Sequence, residues 1–145
     1  MTFTYASARE LARLVGTSYA EMNCWAFVRA AFAFQDVELP SSYHTAIDQS
    51  WFRRVEPDEA PEPWDVVAIE LPRDRADVEL PKFANHCGIY LGESELIHSV
   101  DPAGVSVNRL DRAPWSKRIV GLMRLQVPGG ISKTPPLMTD GADRP

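Results

Sequence analysis

Apolar residues at Ala8, Leu11, Ala12 and Val15 recur on one helical face, which predicts a short amphipathic helix over 8–15. Ser7 and Glu10 have the spacing of a capping box, and Gly16 supplies the stop. A second helix is predicted from Asn23, a favoured N-cap, to about Phe34. There Trp25, Phe27, Val28, Ala30, Ala31, Phe32 and Phe34 leave Arg29 as the one strongly polar position, so the helix is expected inside the fold, with no solvated face. Over 39–63 the pattern breaks. Pro40, Pro57, Pro61 and Pro63, with Asp58, Glu59 and Glu62, predict a solvated connection that holds one short helix over 46–52.

From Trp64 onward the period becomes that of strands. Asp65-Val66-Val67-Ala68-Ile69-Glu70-Leu71 reads as a largely buried strand, 87–91 and 95–100 as a hairpin around Gly92-Glu93-Ser94, and 105–110 and 119–127 as two more. Helices first and strands afterwards predict an α+β fold, with N-terminal helices packed on about five antiparallel strands. Beyond Val127 come Pro128-Gly129-Gly130, Pro135-Pro136 and Asp140-Gly141. The expected organisation is therefore one domain over 1–127 and a flexible Pro/Gly-rich tail over 128–145.

Composition narrows the function. With 145 residues, 45% hydrophobic and 24% charged, the chain can bury a core, which excludes wholesale disorder. Fifteen basic against 20 acidic residues leave a net charge of −5, which argues against nucleic acid or an anionic membrane as partner. The apolar run Ala30-Ala31-Phe32-Ala33-Phe34 is far too short to span a bilayer. Met1-Thr2-Phe3-Thr4 carries no basic region followed by an apolar stretch, so synthesis in the cytoplasm without a secretory signal is expected. Two cysteines cannot form a stapled framework and are expected as free thiols.

Cys24 is the sharpest chemical feature. Behind an Asn23 cap it occupies the first helical turn, where unpaired amides and the macrodipole favour a thiolate. Asn23 is neutral, whereas a carboxylate there would oppose that charge. A small apolar residue packed at a helix start explains Cys24 equally well. A thiolate nucleophile needs an imidazole base, and the base needs an orienting group. In the predicted hairpin Leu91 faces Glu95 and Gly88 faces His98, which puts His86 and His98 on one face as diagonal neighbours. A slip of one residue would separate them. Their shared face suggests a base, His86, oriented by a second imidazole, His98; each alone reads as a structural histidine.

Cys87 follows His86, so alternation is expected to point it away from the site and into the core. His44 lies in the irregular region and is expected at the surface. Cys24, His86, Cys87 and His98 lack the short spacings of structural zinc ligands, and no metal or organic cofactor is required. Glycine-rich phosphate loops and Ser-centred hydrolase motifs are absent from the sequence.

These residues resemble a family. Asn23-Cys24-Trp25-Ala26-Phe27-Val28-Arg29 is similar to the nucleophile helix of NlpC-type cell-wall cysteine endopeptidases, which usually starts Asp-Cys-Ser-Gly, or Cys-Trp in the branch attached to phage tail assembly. His86-Cys87-Gly88-Ile89-Tyr90-Leu91-Gly92 resembles the base strand, typically His-Val-Gly-Ile-Tyr-Leu-Gly. Leu96-Ile97-His98-Ser99 resembles the strand of the third, orienting residue, and Trp64-Asp65-Val66-Val67 the family's Gly-Asp-Leu-Val. Trp115-Ser116-Lys117-Arg118-Ile119-Val120-Gly121 fits the tail-associated branch. Asn23, Ala26 and Trp64 depart from the usual Asp, Gly and Gly.

The resemblance implies a papain-like fold and hydrolysis of the bond between D-glutamate and diaminopimelate in peptidoglycan stem peptides. Cys24, His86 and His98 would be the triad, with Tyr19, Asn23 and Trp25 on the oxyanion or substrate side. With no secretory signal or wall-binding module in the sequence, delivery to the wall by a virion tail, a contractile secretion apparatus or lysis is expected. Two alternatives stay open: a non-catalytic assembly component of a phage tail tip, and an amidase, acyltransferase or toxin of the same fold.

Overall fold

The computed structural model describes residues 8–72 and 84–126, and among these one antiparallel sheet bears apolar side chains on both faces. The capping box at Ser7, the tail over 128–145 and Val127 lie outside the described residues. The first element, Ala8–Leu14, is a 3₁₀ helix rather than the expected α-helix. Leu11 is buried and Leu14 half-buried, while Val15 is exposed. Buried positions three apart suit the three-residue turn of a 3₁₀ helix, and one buried anchor gives an α-helix little to pack.

Helix α1, Cys24–Ala33, is the expected interior helix. Asn23 caps it, its side chain accepting from the Ala26 amide at 2.9 Å, and Phe34 ends it. Cys24, Trp25, Phe27, Val28, Ala31 and Phe32 are buried. One side is nevertheless open, because Ala33 and Phe34 are exposed and Ala26, Arg29 and Ala30 half-buried. The sheet covers only the opposite face. Helix α2, Tyr43–Asp48, starts before the predicted 46–52 because Ser42 caps it through the Thr45 amide at 3.1 Å.

Six strands follow: β1 Phe52–Arg54, β2 Val66–Ile69, β3 His86–Gly92, β4 Glu95–Val100, β5 Gly104–Arg109 and β6 Ile119–Leu125. Five match the sequence reading. Of the three-residue β1, Phe52 was expected to end a helix and Arg53 and Arg54 to lie in the solvated connection; pairing with β6 makes all three a strand, in the order β1-β6-β2-β3-β4-β5. The result is the expected α+β architecture.

Alternation divides the sheet's residues between two cores. On one face Val66, Ala68, Cys87, Ile89 and Ile97 pack with Cys24, Phe27, Val28 and Phe32 of α1. On the other, Val67, Ile69, Leu71 and Leu96 pack with Tyr90, Leu110, Trp115 and Leu122. At the β3–β4 turn Gly92 pairs with Glu95, leaving Glu93 and Ser94 as the turn, both at positive φ. The expected three-residue loop is thus two residues plus a register shift between Tyr90 and Gly92. Past the shift, Ile89 opposite Ile97 restores the expected register, with Gly88 facing His98.

Trp64 stands where the resembled family usually carries glycine, and its φ of 81° lies in the left-handed region that glycine favours. A bulky residue there is strained by roughly 1–3 kcal/mol. Burial compensates: Trp64 is 4% exposed and its ring lies 5.2 Å from that of Phe32. Among the described residues no helix is long and apolar enough to cross a membrane.

Candidate active site

Backbone ties bring the start of α1 to the open ends of β3 and β4. Gly16 and Thr17 exchange hydrogen bonds with Val105 at 3.0 and 2.9 Å, and the Ser99 hydroxyl donates to the Met22 carbonyl. These contacts hold the 17–23 segment against the turn between β4 and β5. Cys24 follows as the first residue of α1, beside the first residues of β3.

His86 opens β3 and His98 sits in β4, on the sheet face that also carries Leu96. Their rings meet as the shared face predicts, His86 Nε2 lying 2.7 Å from His98 Nδ1. His98 Nε2 lies 2.8 Å from Asn108 Oδ1, a contact the sequence reading missed. Trp115 closes over both histidines, stacked on His86 at 6.4 Å and edge-on to His98 at 4.7 Å. Cys24, His86 and His98 are each 0% exposed.

Cys87 is in the core, as expected, but it does not point away from Cys24. Alternation does place it on the face opposite His86, but that is the face on which α1 packs, so its side chain points toward the N-terminal end of the helix and hydrogen-bonds Cys24. Cys24 sits at the sheet's end and reaches residues of both faces. Its thiol is held well below the ordinary range, chiefly by the Cys87 side-chain hydrogen bond. Burial opposes the shift; a hydrogen bond to His86, the charge of His86 and the Cys87 backbone add to it. The helix N-terminus acts in the same direction.

His98 is pushed down to about 3, first by burial and then by the charge of His86, against the hydrogen bond to Asn108. It therefore stays neutral where the thiol ionises. Tyr43 is raised to about 12 by burial and by the charge of Cys87, and its hydroxyl lies 3.8 Å from Met123 Sδ.

The remaining predicted residues take different places. Asn23 is the helix cap, so its side-chain oxygen serves the Ala26 amide. Trp25 is 5% exposed, donates its indole N–H to the Pro40 carbonyl at 3.1 Å, and packs edge-on to Tyr43 and Phe52. That is an anchoring position for α1. Tyr19 is half-buried in the 17–23 segment, and His44 is exposed, as expected. Among the described residues no group of three or more His, Cys, Asp and Glu is arranged to hold a metal ion.

Cys24, Asn23 and the imidazole pair were legible in the sequence; Asn108, Trp115 and the Cys87 contact were not. Ser106 and Asn108 interrupt the apolar residues of β5 at alternate positions, which was the available signal for Asn108. Its use required the β4–β5 register, where His98 faces Ser106 and Leu96 faces Asn108. Trp115 comes from a separate 3₁₀ turn, Trp115–Lys117, and no spacing announced it.

The model of the NlpC/P60 family matches residues 13–124. The chain belongs to the NlpC/P60 family. Among NlpC/P60 relatives, it is 26% identical over 106 residues to a probable endopeptidase NlpC homolog of Haemophilus influenzae, covering 72% of this chain and 50% of that protein. The chain thus spans half the length of that relative. A Staphylococcus aureus NLP/P60 protein described as similar to a lipoprotein superposes with a TM-score of 0.63 at 17% identity, covering 86% of this chain and 43% of the other. The peptidoglycan hydrolase RipB of Mycobacterium tuberculosis gives 0.50 at 17% identity, covering 86% and 70%.

The lowered thiol has a direct consequence. Peptide-resolved iodoacetamide labelling of Cys24 is expected to keep a substantial part of its alkaline rate at mildly acidic pH, where an ordinary thiol keeps almost none, since a depressed pKa preserves thiolate as pH falls. His86→Ala and Cys87→Ala each remove a lowering contact and are expected to move the labelling limb to higher pH. A wild-type rate that rises only through the ordinary thiol range contradicts this electrostatic picture.

Proposed function

We propose that this chain is a cysteine endopeptidase of the bacterial cell wall, cleaving amide bonds in peptidoglycan stem peptides of the D-glutamyl-diaminopimelate type. The observation that carries this reading is the convergence of the Cys24 thiol, at a helix N-terminus, on a His86 ring bonded to His98 at 2.7 Å. Family membership and the likeness to RipB, a peptidoglycan hydrolase, support the substrate class.

In this mechanism the Cys24 thiolate attacks the scissile carbonyl carbon, and the carbonyl electron pair moves onto oxygen. The Cys24 and Trp25 amides have no intrahelical acceptor, because the first helical bond runs from the Phe27 amide to the Asn23 carbonyl. The Cys24 amide would donate to the oxyanion, with Tyr19 as a second candidate. Imidazolium His86 protonates the departing amine as the tetrahedral intermediate collapses to an acyl-enzyme. His86 then takes a proton from water, whose oxygen attacks the thioester, and the thiol leaves with that proton. His98 holds the His86 ring throughout, the role of the third member of a triad.

Digestion of purified peptidoglycan, read by mass spectrometry, tests the assignment. Wild type is expected to release stem-peptide fragments and Cys24→Ala none. Equal product from both rejects Cys24 as nucleophile.

The complete burial of Cys24, His86 and His98 favours a second reading. There the fold serves as a non-catalytic part of a larger assembly, such as a phage tail tip. Absence of product from wild type and Cys24→Ala alike, together with Cys24 labelling that rises only through the ordinary thiol range, selects it.

A further inference from the structure

An imidazole can take a proton from a thiol only at a ring nitrogen that does not already carry hydrogen. A neutral imidazole donates from one nitrogen and accepts at the other. His86 and His98 share one hydrogen bond, so one of the two facing nitrogens, His86 Nε2 or His98 Nδ1, carries the hydrogen. Nothing within the pair decides which.

Asn108 decides it. Its Oδ1 lies 2.8 Å from His98 Nε2, and a carbonyl oxygen can only accept. His98 Nε2 then carries hydrogen, and neutral His98 is left with Nδ1 as an acceptor. His86 must donate to that acceptor from Nε2, which leaves Nδ1 as its basic nitrogen. Reversing the Asn108 amide would reverse the chain: His98 would donate from Nδ1, and a neutral His86 would carry its hydrogen on Nδ1, where it could not act as base.

We propose that Asn108 is a positioning residue for the proposed hydrolysis: its side-chain carbonyl orients the histidine relay so that His86 Nδ1 receives the Cys24 proton. The inference rests on the Cys24–His86 reading above. In the step, the S–H bond of Cys24 breaks, an N–H bond forms at His86 Nδ1, and a thiolate and an imidazolium result. His86 Nε2–H keeps donating to His98 Nδ1 before and after transfer, so the relay needs no rearrangement.

An amide suits this place better than a carboxylate. The groups facing His98 are His86 from β3, Ser106 and Asn108 from β5, and Trp115; of these, His86 is the titratable one whose charge acts on it. A charged acceptor at position 108 would favour protonated His98. His98 would then carry hydrogen on both nitrogens, and its Nδ1–H would oppose the His86 Nε2–H. Asn108 accepts the hydrogen bond without adding charge.

The test is imidazole tautomer assignment by long-range ¹H–¹⁵N spectra of folded, histidine-labelled protein, alongside peptidoglycan turnover. In wild type, His98 is expected as the Nε2–H tautomer. In Asn108→Leu the single tautomer is lost, and kcat falls roughly ten- to a hundredfold with KM unchanged. In Asn108→Asp the tautomer persists at high pH, while the raised His98 pKa moves the acidic limb of the pH–kcat profile upward. An Nδ1–H tautomer of His98 in wild type, or an unaltered His98 in folded Asn108→Leu, overturns the inference. Should Asn108→Leu not fold, Asn108→Asp decides, and an unchanged His98 titration overturns it. If wild type turns over no peptidoglycan, the proposed function fails, while the wild-type tautomer still decides the role of Asn108.

Discussion

If the proposed hydrolysis holds, Gly88→Ala is expected to lower peptidoglycan turnover about a hundredfold, since misplacing a group of the proposed triad by about 1 Å costs that much. A methyl group built at Gly88 would lie 2.6 Å from Leu96 Cδ1, 2.7 Å from His98 Cβ and 2.8 Å from the Ile97 carbonyl oxygen. The Leu96 tip can rotate away. The carbonyl and His98 Cβ belong to a paired strand and can yield only if β4 itself moves. That movement carries His98 off its 2.7 Å contact with His86 and its 2.8 Å contact with Asn108. Overpacking of this kind also destabilises, here by about 3 kcal/mol. Activity measured well below the unfolding temperature separates the two effects. Near-wild-type turnover by folded Gly88→Ala contradicts a requirement for the close β3–β4 approach.

Arg124→Met is expected to destabilise the fold by roughly 3–5 kcal/mol, the usual loss when one partner of a buried ion pair is removed. Asp65 is 2% exposed and accepts from Arg124 Nε and Nη2, both at 2.8 Å. The same guanidinium donates to the Ala60 carbonyl at 3.1 Å, and the Asp65 carboxylate also accepts from the Glu62 amide at 2.8 Å. One ion pair thus joins β6, the start of β2 and the Pro-rich connection. Without Arg124 the carboxylate remains buried with its charge uncompensated. Adding Asp65→Leu to Arg124→Met is expected to recover much of the loss, because it removes that charge. The exposed pair Arg109–Asp111 provides the contrast: breaking it is expected to leave stability nearly unchanged, because solvent screens it. Denaturant unfolding of the variants measures all three, and a loss below about 1 kcal/mol for Arg124→Met contradicts the burial argument.

These two sites differ in how far they could be read in advance. The Gly88–His98 register follows from strand lengths and a short turn, so the meeting of His86 with His98 was legible although the turn itself was misjudged by one residue. The Asp65–Arg124 pair spans 59 positions and depends on β6 lying beside β2, an order that neither periodicity nor spacing encodes. Likewise β1, with three residues, offers too short a pattern to distinguish from a helix end, and only its partner β6 makes it a strand.

The sequence by itself determined the local elements of the site: an asparagine-capped helix opening on Cys24, and two histidines on one face of a hairpin. Those follow from interactions a few residues apart, in capping geometry and in the alternation of a strand. Tertiary structure alone decided what surrounds them. It selected the sheet face that receives α1, and with it the contact between Cys24 and Cys87. It also brought Asn108 behind His98 and Trp115 over both rings. The reason is that strand order and helix docking are settled by burial of whole faces, whereas the direction of a proton relay is settled by single atoms that such burial brings within hydrogen-bond reach.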